Sequence, residues 1–253
     1  MVQLSVVMIT KNAERLLDLV LEKAAQVADE IIIMDALSTD QTLEIASKYS
    51  AKIVTQPWLG FGLQKQKALD LAVGEWVLSL DADEVLTEEL IVSINRLKET
   101  RFQGPYQGYE IKRPLVFAGE VLRWTVSLWV LRLFKRSEAH FTPQLVHERL
   151  VLEGPVGRIH SGDLLHYSYE SVSDWVSRMN RYTDLSVQEK KSSKKTSITF
   201  AVLSGIVVFL KIYVLKRGFL DGKMGFVFAC NWGLSNYLKY LKLALMDDFE
   251  VKR

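Results

Sequence analysis

Gly74-Glu-Trp-Val-Leu-Ser-Leu-Asp-Ala-Asp-Glu84 is the stretch whose reading decides the fold. Residues 76–80 form an almost wholly apolar run, and three acids in four positions follow it, Asp81, Asp83 and Glu84. A short apolar run of this kind, buried on both faces, marks a strand of a parallel sheet. Such sheets bind ligands just beyond the carboxyl ends of their strands, which is where these acids fall.

The same pattern repeats upstream. Residues 4–9, 30–34 and 51–55 read as strands, and 13–27, 39–49 and 63–72 as helices, with Ser38 or Thr39 placed to cap the second. Strand and helix in alternation imply right-handed crossovers and a parallel sheet. The residues that follow the strands are polar and chemically pointed: Thr10-Lys-Asn12, Asp35-Ala-Leu-Ser-Thr-Asp40 and Asp81-Ala-Asp-Glu84. No GxGxxG follows the first strand and no GxxxxGK[ST] occurs, so neither the dinucleotide fingerprint nor a P-loop is available. Successive strand residues face opposite ways, so Asp81 and Asp83 at the strand's carboxyl end share one side, and two ionised carboxylates so close repel unless a cation sits between them. Mg²⁺ or Mn²⁺ suits such oxygen ligands and leaves positions for a diphosphate.

From about Thr100 to His166 the pattern changes to short strands and turns, at 108–112, 128–135, 146–153 and 164–167, and all four histidines fall here. Three helical segments follow, at 173–190, 197–216 and 222–246. The expected organisation is an α/β catalytic domain over 1–170, with a nucleotide-binding half (1–99) and an acceptor-side half (100–170), then a helical basic extension over 171–253.

The net charge of +2 over 253 residues conceals a division. Residues 1–170 carry 18 Lys+Arg against 23 Asp+Glu, while 171–253 carry 14 against 7. An acidic front argues against nucleic acid as its partner, and a basic, apolar back points to an anionic membrane surface. The single Cys230 excludes a disulfide scaffold and makes a reducing cytosol the default. The first positive charge, Lys11, comes after the first apolar run rather than before it, so no secretory signal is expected. Residues 198–210 carry no charge, and the apolar character continues past Lys211 to Leu215. Three readings of this segment stand open: a buried core helix, a helix lying in the membrane interface, and a span. Lys190-Lys-Ser-Ser-Lys-Lys195 is either a solvated linker or an anionic-lipid contact.

Together with the opening stretch, Ser5-Val-Val-Met-Ile-Thr-Lys-Asn12, Ile31-Ile-Ile-Met-Asp35 with Ser38-Thr-Asp40, and Trp58-Leu-Gly-Phe-Gly62 with Gln64-Lys65 resemble the inverting GT-A glycosyltransferases of family 2. Downstream, Leu131-Arg-Leu-Phe134, Leu145-Val-His-Glu-Arg149, Gly154-Pro-Val-Gly157, His166-Tyr-Ser-Tyr169, Asn180-Arg-Tyr182, Arg217-Gly-Phe-Leu-Asp-Gly222 and Tyr237-Leu-Lys-Tyr-Leu-Lys242 are similar to the lipopolysaccharide inner-core glucosyltransferases that act on heptose. The resemblance covers essentially the whole chain. It implies a GT-A, Rossmann-like, mostly parallel sheet with a C-terminal helical, membrane-associating extension. It also implies transfer of a hexose, glucose foremost, from a UDP-sugar to a heptose of the lipid A-linked core, at the cytoplasmic face of the inner membrane and with a divalent metal. A transferase acting on polyprenyl phosphate and a non-catalytic membrane-associated GT-A protein are the alternatives.

The resemblance implies roles residue by residue. Asp35 stands against the uracil ring, with Asp40, Thr10 and Glu14 lining the same pocket; Lys65 approaches the diphosphate. Asp83 is the direct metal ligand and Asp81 lies beside the ribose and the ion. Asp40 as a helix-start charge and Glu14 as a solvated first-turn residue are the alternatives. Glu148 is the candidate base that takes the acceptor hydroxyl's proton, kept ionised by His147 and Arg149; a salt bridge to Arg149 or Arg132 is its alternative. Val151 stands where a zincin's second histidine would be, so His147-Glu148 is not such a site. His166 completes the metal shell, touches the phosphates, or is structural, whereas His140 and His160 are expected to be structural. Arg217 and Asp221 position either the lipid-linked acceptor or the helix itself. Trp124, Trp129 and Tyr167 stack on sugar faces or belong to the core. Three departures from the family pattern stand out: Ala36-Leu37 where a glycine usually turns, Gln66 in place of an asparagine, and Trp124-Thr-Val-Ser-Leu128 where a glycine- and tryptophan-rich loop is usual.

Overall fold

The computed structural model describes residues 2–142, 149–190 and 196–246. Its first half is a strand–helix alternation: β1 (Leu4–Thr10), α1 (Glu14–Ala25), β2 (Glu30–Asp35), α2 (Thr42–Ser47), β3 (Lys52–Thr55), α3 (Phe61–Asp70) and β4 (Trp76–Asp81). β5 (Glu84–Leu86), α4 (Glu88–Glu99), β6 (Gly108–Phe117), β7 (Glu120–Lys135), β8 (Ala139–Phe141), β9 (Leu150–Leu152), β10 (Val156–Ile159) and β11 (Leu164–His166) follow. The helical part comprises α5 (Val172–Lys190), α6 (Ile198–Leu210), a π-helical continuation Lys211–Leu215, a 3₁₀ turn Gly218–Asp221 and α7 (Gly222–Leu245).

Nine strands form one sheet in the order β3-β2-β1-β4-β7-β6-β11-β5, with β10 beside β6, while β8 and β9 make a separate hairpin. The first four in that order are parallel, as the alternating pattern requires, and β7 joins β4 antiparallel. The sheet is therefore mixed, with a parallel half formed by β3, β2, β1 and β4. α1 buries Leu17, Val20, Leu21 and Ala24, the spacing of one helix face. α4 lies outside the helices read from the sequence; Thr87 caps it by accepting the Leu90 N–H, and Leu90, Ile91 and Ile94 seal it down. The expected cap of α2 by Ser38 or Thr39 is not made. Asp40 instead accepts the Thr42 N–H and hydroxyl, because Ser38 is drawn onto Asp35.

The chain divides into two compact units, Met1–Pro114 with Leu128–His166, and Leu115–Ser127 with Tyr167–Arg253. In the first, Val7, Ile32, Met34, Val77 and Phe134 of the sheet pack with Ala68 and Leu69 of α3. In the second, Leu115, Phe117 and Leu122 pack with Trp175 of α5 and Phe228 of α7, whose rings stack at 5.1 Å. Lys242 of α7 ties down α5 by donating to Asn180 Oδ1 and Thr183 Oγ1 and pairing with Asp184 at 2.7 Å. α6 meets α7 through glycines: a Cβ on Gly205 would lie 3.0 Å from the Gly233 carbonyl oxygen, and one on Gly233 would lie 2.9 Å from that of Gly205. Ala201 and Gly205 are buried along this seam, while the outward side of α6 is open to solvent. That exposure removes the buried-core-helix reading of the 198–215 segment.

Candidate active site

Register brings the acids together. β1 pairs Thr10 with Asp35 of β2 on one side and Ile9 with Asp81 of β4 on the other, so three strand ends stand at one level of the sheet. Asp35 is fully buried and fully engaged: Thr10 Oγ1 donates to its Oδ1 at 2.8 Å, and Ser38 donates both its N–H and its hydroxyl. Leu37 lies between them at φ 58°, a left-handed conformation that glycine adopts without strain, and its side chain is exposed. The Asp35–Ser38 bonds hold this turn closed around a residue that would not choose it.

β4 stops at Asp81, and Ala82-Asp83 turns the chain into β5. The strand thus does not carry Asp81 and Asp83 along one face, and the expected repulsion between them is resolved otherwise. Asp81 Oδ1 pairs with Lys65 Nζ at 2.9 Å and its Oδ2 with Arg132 at 2.5 Å. The same Arg132 nitrogen reaches Glu84 Oε1 at 2.6 Å, and Arg113 reaches that oxygen at 2.7 Å. Glu84 is fully buried and also accepts the Asp81 N–H. Burial disfavours charge on Asp81, yet Arg132, Lys65 and Arg113 outweigh it and hold the carboxyl far below the usual carboxylate range. Arg132 is correspondingly held protonated by Asp81 and Glu84 against its own burial. Three cations thus face two buried-end carboxylates, leaving one unit of positive charge in the cluster.

Asp83 and His166 face each other beside this cluster, Oδ2 to Nε2 3.4 Å, and both side chains are partly exposed. The antiparallel β5–β11 pairing sets His166 opposite Glu84, which is what brings it to Asp83. Among the described residues no three His, Cys, Asp or Glu side chains converge. A carboxylate oxygen and an imidazole nitrogen nevertheless fit a divalent ion of the Mg²⁺ or Mn²⁺ type, which is usually held by one or two protein ligands and completed by substrate phosphates and water.

A model of the family described as glycosyl transferase family 2 matches residues 5–148. The chain belongs to glycosyl transferase family 2. An uncharacterized glycosyltransferase of Rickettsia typhi is 32% identical over 96% of this chain and 87% of its own length. The lipopolysaccharide core biosynthesis glycosyltransferase LpsC of Rhizobium meliloti is 28% identical over 95% of this chain and 91% of its own. Among solved structures, S. aureus TarS 1–349 in complex with UDP is 16% identical, covers 99% of this chain and 93% of that one, and superposes with a TM-score of 0.49. The protein is a glycosyltransferase, and its mixed α/β sheet followed by C-terminal helices agrees with the fold class expected from the sequence.

In this glycosyltransferase the remaining predicted residues fall into two groups. Glu14 and Asp40 form a reciprocal clamp: Asp40 accepts the Glu14 N–H at 3.1 Å, and Glu14 accepts the Gln41 N–H at 2.9 Å. Each carboxylate thereby serves a helix start, where negative charge is favoured. Burial opposes the charge on Asp40, but Thr42 and the Glu14 N–H pull its pKa below the ordinary value. Glu148 and His147 lie outside the described residues. The chain reaches them from a defined base, since Thr142 N–H donates to the Arg149 carbonyl and Arg149 N–H to the Thr142 hydroxyl, each at 2.9 Å. That hairpin docks on α3 through Gln66, whose Oε1 accepts the Phe141 N–H at 2.7 Å while its Nε2 donates to Asp70. Gln66, a departure from the family pattern, thus ties the element carrying Lys65 to the one leading to Glu148. Asp221 is a clamp for the helical turn: it accepts the backbone N–H groups of Arg123, Trp124 and Thr125 and the Thr125 hydroxyl. Trp129 packs between His160, at 5.3 Å, and Arg158, at 5.0 Å.

The sequence reading gave Arg113 no role and Arg132 only that of a possible partner of Glu148, and it took Glu84 simply as one of the strand-end acids; the structure joins the three in one cluster. The available signal was Arg132 itself, one charge inside the apolar run 128–134. A buried strand accepts such a residue only if it is paired.

Proposed function

We propose that this glycosyltransferase transfers a hexose, glucose foremost, from a UDP-sugar to a heptose of a lipid A-linked core, with inversion at C1, at the cytoplasmic face of the inner membrane. The observation that carries the reading is the Lys65–Asp81–Arg132–Glu84–Arg113 network beside Asp83 and His166 at the end of β4. Its three cations, Lys65, Arg113 and Arg132, suit a diphosphate, and the partly exposed Asp83–His166 pair supplies donors for a divalent ion. The lengthwise likeness to LpsC, whose name places it in lipopolysaccharide core biosynthesis, supports the acceptor class.

In this reading the base lies against Asp35, which Thr10 and Ser38 hold in place, and Glu14 and Asp40 hold the two helix starts that frame the pocket. Lys65 reaches the diphosphate while Arg132 keeps Asp81 ionised beside the ribose. Asp83 and His166 would hold the divalent ion, which when bound stabilises the charge that develops on the departing diphosphate. The acceptor oxygen attacks C1 as the bond from C1 to the diphosphate oxygen breaks, UDP leaves with that electron pair, and Glu148 takes the hydroxyl proton. Burial of Asp81 and Glu84 among fixed cations means that the site needs little reorganisation as charge moves.

The test is a panel of UDP-sugars offered to the purified protein with a truncated lipopolysaccharide core, reading UDP release and product mass. UDP-glucose is expected to release UDP and to add one hexose mass to the core. Release of UDP with no change in core mass would overturn the acceptor assignment; no release from any UDP-sugar would overturn the donor.

A further inference from the structure

We infer that Ile198–Leu215 is an in-plane anchor that seats the protein on an anionic phospholipid surface without crossing it. This deepens the lipid-borne acceptor reading above and rests on it. The segment is long and apolar enough to cross a membrane by composition, and it is mostly exposed. Leu203, Ile206, Val207, Leu210 and Leu215 are from 48% to 78% exposed and form its outward side. A soluble protein seldom leaves so many large apolar side chains together in water. Lys211, Lys216, Arg217 and Lys223 are exposed on and beyond the same segment, and residues 171–253 carry twice as many basic as acidic side chains. An apolar side with basic companions is the composition of an interfacial helix on an anionic leaflet.

The tertiary structure decides between lying and spanning. Both ends of the segment are tied to the same folded unit. Near its start, Ser197 caps the helix, Asn236 of α7 bonds Ser204, and the Phe200 ring meets Tyr240 at 4.9 Å. At its end the chain turns through Arg217, at φ 58°, and Gly218, where a Cβ would lie 2.8 Å from the Ile212 carbonyl and 3.3 Å from the Thr125 hydroxyl. Asp221 then locks the turn onto three successive N–H groups of β7. α7, which pairs with the segment along its length, buries Phe228 against Trp175, Phe117 and Leu122. A span would carry the turn, with Lys216, Arg217, Asp221 and Lys223, to the far side of the bilayer. It would then either break the Asp221 bonds or draw β7's polar backbone into hydrocarbon, which tolerates unsatisfied backbone groups very poorly. Lying flat costs neither.

The experiment is flotation of the purified full chain with vesicles of phosphatidylcholine alone or with one quarter phosphatidylglycerol. Binding is expected to the anionic vesicles, weakened by high salt, and reduced roughly tenfold or more in Leu203→Glu/Val207→Glu. Equal behaviour of this variant and the wild type would overturn the proposal, as would a lipid-free dimer that the variant abolishes. Topology is read in a Cys230→Ser background carrying Ser197→Cys or Lys216→Cys, with an impermeant maleimide added outside protein-bound vesicles. Labelling of both positions is the expected result; protection of one alone would show a span. UDP binding by the same variants in solution separates the two readings. If the wild type binds UDP normally yet does not float with anionic vesicles, only the membrane inference falls; if the wild type does not bind UDP, the donor reading falls first.

Discussion

The strand-end rim of the first unit and the α6–α7 hairpin of the second solve opposite problems. The rim buries charge: Glu84 is fully buried, and it and Asp81 are neutralised by Lys65, Arg113 and Arg132. The hairpin exposes apolar surface: Val207 is 61% and Leu215 78% exposed, while the glycines beneath allow close helix packing. Each arrangement is expensive if nothing else binds there. A buried ion network is at best break-even for stability against apolar replacement, and an exposed apolar row gains nothing from folding. Each arrangement suits the ligand proposed for it, an anionic nucleotide in one case and a lipid surface in the other.

The comparison breaks most visibly at Asp83. Asp83→Ala is expected to lower transfer by roughly 10³-fold, read as UDP release, with an unchanged unfolding midpoint. The side chain is partly exposed and faces His166, so a stability loss would show that the rim is structural rather than catalytic. Arg132→Met should act the other way round on stability. It leaves Asp81 and Glu84 short of their shared cation and is expected to cost about 3 kcal/mol in urea unfolding, whereas Leu203→Ser on the exposed hairpin should change stability by less than about 0.5 kcal/mol.

Asp221→Ala sharpens the hairpin side. It strips the acceptor from three backbone N–H groups and should cost about 2 kcal/mol, with protease cleavage appearing in 216–222 before global unfolding. Retention of wild-type protection there would show that the turn is held by packing alone.

The smallest effect concerns pH. Partial burial opposes ionisation of Asp29, but Lys98 and the Leu4 and Gln3 N–H groups outweigh it and lower the pKa from 3.8. A lowered folded-state pKa means the contribution is full above the unfolded value and is lost as pH falls through the folded one. Wild type minus Asp29→Asn should therefore show a stability difference of roughly 1 kcal/mol at neutral pH that shrinks below about pH 4. A difference independent of pH would assign the effect to the two N–H bonds alone.

Legibility followed the range of the forces involved. The parallel strands β1, β2 and β4 could be read because near-complete burial leaves a continuous apolar run, and Asp35, Asp81 and Asp83 could be read because they end those runs. α4, although Thr87 and the acids of its first turn mark its start, was not among the helices read from the sequence. The pairing of Asp81 and Asp83 across one strand face failed for a local reason: the strand ends at Asp81, two residues short of Asp83. The Glu14–Asp40 clamp was visible only as two acids near helix starts, and which N–H each serves depends on how α1 and α2 meet.

By itself the sequence determined the parallel α/β core, the acids at its strand ends, the family, and the separation of an acidic front from a basic, apolar back. Periodicity, composition and motif spacing carry all four, and each is a property of neighbouring residues. Only the tertiary structure decided which charges compensate the acids and how the apolar helix is held. Arg132 stands 51 residues from Asp81, and Asp221 stands 96 from Thr125. No local pattern records such pairings, because a buried charge or a backbone N–H is satisfied by whatever the fold brings within 3 Å, not by what the chain places beside it.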